Sequence, residues 1–173
     1  MSYAVVTCRW VILFTFAIAA VGKLRSRRSF EEFTGTLPGW MGRSLSATRR
    51  RSLAAGLVSV EAVIVVLTVF DRTAAIGLAL ATGALLAFTA TMANALRSGR
   101  KIRCDCFGAG AGEVTGVHLV RNGILLAVAI AGLTGGVPAA TSPMPFLFAL
   151  VIAAVITRAD DLRHLFGRPA ATG

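Results

Sequence analysis

Two of the chain's three cysteines, Cys104 and Cys106, stand one residue apart in the stretch RKIRCDCFGAGAGEVTGVHLVRN, residues 100–122. Thiols this close can close a small, strained disulfide ring, and strained disulfides are the exchangeable kind. Arg97, Arg100, Lys101 and Arg103 lie just upstream. Their charge favours thiolate, the reactive form. Gly108, Gly110 and Gly112 let the following loop fold back. The pattern reads as a redox dithiol. Two other readings stand beside it. A metal site drawing on His118 would lack the second spaced pair of a zinc module, so no metal is assigned. The cysteines would otherwise be inert residues at an interface.

Three further residues have types that do chemistry in apolar surroundings. Glu61 sits mid-way along an apolar run, where an ionisable side chain needs a partner or a function. Its neighbours Leu57, Val58, Ile64 and Val65 are apolar, so the partner must come from another helix; Asn94, Arg121, Asn122 and Arg9 are the candidates by depth. Glu61 is then either a proton carrier or half of a structural pair. Arg121-Asn122 opens another apolar run on the cysteine side. The pair either snorkels to the headgroups or has a sharper role, in which Arg121 stabilises a thiolate or binds a polar head such as a quinone's. His118 is an interfacial polar residue or a proton shuttle. Cys8 lies toward the far end of the first run and reads as a small buried residue.

These residues need a scaffold, and composition says which. The chain has 173 residues, 55% of them hydrophobic and 15% charged, against roughly 25% charged in soluble domains. Its mean hydropathy is +0.74. The expected class is an all-α, polytopic transmembrane bundle forming one domain over residues 1–173, because only helices and closed barrels satisfy the backbone in lipid. The runs lack the period-two alternation of a barrel. Spans are expected at about 4–22, 53–70, 73–96, 118–134 and 144–157, five being preferred over four. The first run carries no basic residue before it and a basic cluster after it, the reverse of a signal peptide, so it reads as a retained span. Phe30, Phe33 and Leu37 recur at helical spacing, which predicts an amphipathic interfacial segment over about 29–37, ended by a turn at Leu37-Pro38-Gly39. Ala75, Ala79, Gly83, Ala87, Thr91 and Ala95 recur every four residues and are expected to pack inside the bundle.

The net charge of +10 does not point to nucleic acid, since no basic-aromatic reader motif is present. Sixteen of the 18 Lys and Arg residues fall in the segment after the first run, the cysteine loop with the foot of the next helix, and the tail. The positive-inside rule puts these segments in the cytoplasm of a multi-pass protein of the bacterial cytoplasmic membrane, with the lipid bilayer as its first partner.

The exit AVGKLRSRRSFEEF, the Leu37-Pro38 that follows, Glu61, the CDCFG after the third run and the RN opening the fourth together resemble the MauE family of methylamine-utilisation membrane proteins, related to DoxX. The likeness covers about residues 10–133. It implies a small redox-associated membrane protein of four or five helices. In that family the role is maturation of the disulfide-rich small subunit of methylamine dehydrogenase with a thioredoxin-like partner. Cys104 and Cys106 take the family's cysteine positions. By resemblance the chain is therefore a membrane thiol-disulfide oxidoreductase or maturation factor for an exported client. The alternatives are an assembly factor that docks a partner without catalysis, and a small proton-coupled transporter using Glu61. An exported client calls for thiols facing outward, whereas the charge rule turns them inward; the two expectations oppose each other.

Overall fold

The computed structural model describes residues 2–41, 46–99, 103–104, 112–113, 116–135 and 146–155. Its helices are α1 (Ser2–Leu24), α2 (Arg27–Met41), α3 (Ala47–Val69), α4 (Ala74–Arg97) and α5 (Gly116–Thr134), with a shorter apolar α6 (Phe146–Val155). Between α4 and α5, β1 (Arg103–Cys104) pairs antiparallel with β2 (Gly112–Glu113).

Among the described residues four helices, α1, α3, α4 and α5, are long and apolar enough to cross a membrane. At 1.5 Å per residue their 19–24 residues give about 28–36 Å, matching a hydrocarbon core of about 30 Å. The fifth expected span is represented among the described residues by the ten residues of α6, too short by itself to cross. The chain is thus an all-α polytopic bundle, with one minimal β ladder among the described residues.

The closest-packed pairs are α4 with α5, α1 with α3, α3 with α4, and α1 with α5. They close a ring in which every neighbour runs antiparallel. Ile12, Phe16, Ile64, Leu78, Leu85 and Leu125 meet at its centre. Half of the α1 span is buried, against 28% for each of the others, so α1 is the helix the rest pack around. Phe146 of α6 meets Trp10 and Phe14 of α1 edge-on, with centroids 5.3 and 4.9 Å apart. Outward, Val60, Val63, Val66, Ile76 and Leu86 are exposed. Such an aliphatic surface suits lipid, not water.

Local chemistry sets the helix ends. Ser46 caps α3, its Oγ accepting from the Arg49 N–H. Gly99, at φ 62°, takes the left-handed position that ends α4, a conformation side chains resist. The α3–α4 turn is tight because Gly77 has no side chain: a Cβ there would lie 2.5 Å from Thr68 Oγ1 and 2.8 Å from Thr68 N.

Two expectations about these elements are corrected. The interfacial segment is a longer helix than 29–37, and its backbone stays helical through Pro38 and Gly39. Proline removes one N–H and disturbs only the carbonyl four residues back, which a helix lying at the surface can leave to water. The small-residue row of α4 faces the interior only at its end, where Ala95 is buried and Thr91 half-buried. Ala75, Ala79, Gly83 and Ala87 are exposed, and the buried face runs through Ala74, Gly77, Leu78, Ala81, Leu85 and Met92. A strict period of four drifts across a helix of 3.6 residues per turn.

Candidate functional site

Strands β1 and β2, α2, the C-terminus of α1 and the N-termini of α3 and α5 share one end of the ring. The backbone of Cys104 is fixed there by the β ladder, with Cys104 opposite Gly112 and Arg103 opposite Glu113. Strand β1 also lies against α2. Cys106, with the loop between the strands, lies outside the described residues. Cys8 is free and sits at the opposite end, where a Cβ placed on Gly132 would be 3.4 Å from its own Cβ.

Beneath this end lies a buried ion pair. Lys23 Nζ donates to Glu61 Oε1, and both side chains are almost fully enclosed, at 3% and 4% exposure. Side chains lean toward the N-terminus of their own helix. In antiparallel α1 and α3 this tilts Lys23 into the bundle and Glu61 up toward it, so a residue at the end of one helix reaches a residue midway along the other. Phe33 of α2 covers the pair, its ring 4.8 Å from Lys23 Nζ, a cation–π distance. Phe33 and Leu37 are held over α3 by Ala54 and Val58. The second carboxylate oxygen, Glu61 Oε2, is buried and has no hydrogen-bond partner among the described residues.

The partner of Glu61 is therefore Lys23, not Asn94, Arg121, Asn122 or Arg9. Asn94 is exposed on α4. Arg9 is committed at the other end: its Nε donates to Thr68 O at 2.8 Å, one terminal nitrogen donates to Val69 O at 2.6 Å, and the other pairs with Asp71. Lys23 was missed because it reads as the first residue of a basic loop. The signal was present, since Ile12, Phe16, Ala19 and Lys23 fall on one helix face and all four are buried.

His118, Arg121 and Asn122 all point inward, on the face of α5 that continues through Leu125, Ala129 and Gly132. Arg121 is buried in the bundle, at 8% exposure. Asn122 Nδ2 lies 3.9 Å from Met92 Sδ of α4, and its Oδ1 has no hydrogen-bond partner among the described residues. The Cys8–Gly132 contact sets the register of α1 against α5. From it, Lys23 lies about 22 Å along α1 and His118 about 21 Å along α5, at 1.5 Å per residue. Lys23 of α1 and His118, Arg121 and Asn122 of α5 thus collect in the half of the bundle that carries the cysteine strand, while the buried Arg9 of α1 lies at the other end.

The arrangement can hold charge and hydrogen bonds in an apolar setting at the end of the bundle that carries the Cys104 strand. The family model described as Methylamine utilisation protein MauE covers residues 1–135. No curated protein and no solved structure matches the chain.

Proposed function

Because the chain belongs to the MauE family, we propose that it is a membrane thiol-disulfide protein that matures an exported client through Cys104 and Cys106. The observation that carries this reading is the placement of the Cys104 strand at the end of the bundle where Lys23, Glu61, His118, Arg121 and Asn122 are buried. In the proposed reaction a client thiolate attacks the Cys104–Cys106 disulfide and forms a mixed disulfide. A second client thiolate displaces it, leaving an oxidised client and a reduced pair. Two electrons and two protons then pass to the disulfide of a thioredoxin-like partner or to a quinone, which restores the pair. Arg121 stabilises the thiolate leaving group, Asn122 holds the hydrogen-bonding frame, and Glu61 serves as proton acceptor or as the structural counter-charge of Lys23. The proposed site of action is the bacterial cytoplasmic membrane.

The test is mass-tagged maleimide trapping in intact cells, in a Cys8→Ser background, before and after reductant and with membrane-permeant or impermeant reagent. The expected result is two additional tags after reduction, and loss of client oxidation in Cys104→Ser and Cys106→Ser. Thiols unreactive in both states, together with normal client oxidation in the double variant, would sink the proposal. The impermeant reagent reports which side the pair faces.

A further inference from the structure

Where α1 ends, α2 begins and α3 enters the bundle, a groove of about 360 Å³ is lined by Leu24, Ser26, Arg27, Phe30, Glu31 and Arg51. Its level is that of the headgroups, because Leu24 closes a membrane-spanning helix and Arg51 lies two residues before the apolar run of α3 starts at Leu53. Neither Arg27 nor Arg51 has an ion-pair partner among the described residues, whereas the adjacent Arg28 is bound to Glu32 at 2.9 Å. We infer that this groove binds one anionic glycerophospholipid, its phosphate held between Arg27 and Arg51.

Three features select this occupant. Two guanidinium groups match a phosphodiester, which they can grip in bidentate fashion. The floor is apolar, through Leu24 and Phe30, and one turn deeper Val21 is also exposed, so the groove continues into an aliphatic track on α1 along which an acyl chain can lie. Free phosphate would gain nothing from that track. Glu31 stands at the same groove and accepts hydrogen bonds from headgroup hydroxyls, as phosphatidylglycerol provides. The site brings α1, α2 and α3 to one ligand, so occupancy steadies the helix that roofs the Lys23–Glu61 pair.

The test uses the purified full chain, delipidated in detergent, with phosphatidylglycerol, phosphatidylethanolamine or phosphatidylcholine added and bound lipid counted by native mass spectrometry. One retained phosphatidylglycerol is expected. The double variant Arg27→Gln/Arg51→Gln should lower its retention about tenfold or more, two basic contacts being removed. The control Arg25→Gln/Arg49→Gln loses the same charge outside the groove and should retain the lipid. Thermal unfolding of both variants without lipid shows whether either is simply misfolded, and the milder single variant Arg51→Lys then serves as the readout, with retention reduced by loss of the fork. Equal loss in the control would mean diffuse attraction and overturn the site. Equal retention of phosphatidylethanolamine would overturn the anionic selectivity. Displacement by inorganic phosphate at matching concentration would overturn the lipid assignment.

Discussion

The two ends of α1 each carry a buried cation, and the two are used differently. Arg9 closes the rim where α3 turns into α4. It satisfies the carbonyls of Thr68 and Val69, which the end of a helix leaves open, and reaches an Asp71 that is 59% exposed. Each of its three nitrogens donates to a backbone end or to a carboxylate in contact with solvent. Lys23 instead meets a carboxylate as buried as itself, under an aromatic ring, with one carboxylate oxygen left over. The first is a clasp on a turn. The second is an enclosed charge pair in the half of the bundle that carries the cysteine strand. An ion pair in a low-dielectric interior adds little net stability, yet removing one partner is costly; such a pair is expected to be kept for what it does.

The sharpest way to break this contrast is at Glu61. Glu61→Ala or Lys23→Ala leaves a lone buried charge and should cost about 3–5 kcal/mol, seen as a lowered Tm in detergent. The double variant Lys23→Met/Glu61→Leu should recover most of that loss while abolishing client oxidation if Glu61 moves protons. Equal losses in single and double variants would show that the two are not coupled. At the other end, Gly77→Ala pushes a methyl group into Thr68 and should cost about 1–3 kcal/mol by overpacking. Gly83→Ala has open space around it and should be neutral or gain up to about 1 kcal/mol in helix propensity. Arg9→Lys keeps the charge but loses the fork that serves three acceptors, at about 1–2 kcal/mol. Asp71→Asn, at the exposed side of the clasp, should cost less than about 1 kcal/mol and leave client oxidation unchanged. A larger effect of Asp71→Asn than of Glu61→Ala would reverse the comparison.

The bundle was legible in the sequence because lipid imposes long apolar runs, and four of them became spanning helices. The special status of Glu61 was legible too, since a carboxylate amid aliphatic residues has no ordinary explanation. Its partner was not, although both charges continue buried stripes: Ile12, Phe16, Ala19 and Lys23 on α1, and Ala54, Val58, Glu61, Ile64 and Thr68 on α3. Hydropathy ends a span at its first lysine, while the helix and its buried face run on. The same bias toward runs over faces turned the small residues of α4 inward, and local turn chemistry cut α2 short at Pro38. Periodicity gives each helix a buried side; which side is decided by the neighbours it meets.

Both buried cations of α1 find their partners on or just after α3, and Lys23 waits 38 residues for Glu61. On the ribosome that is a delay of roughly 2–8 seconds. During that interval α1 has to enter the bilayer, or be held at the translocon, with two unneutralised charges. Its stable insertion is therefore expected to be completed only when α3 emerges. A nascent chain truncated before Ala47 should remain extractable by alkali, and one ending after Asp71 should not.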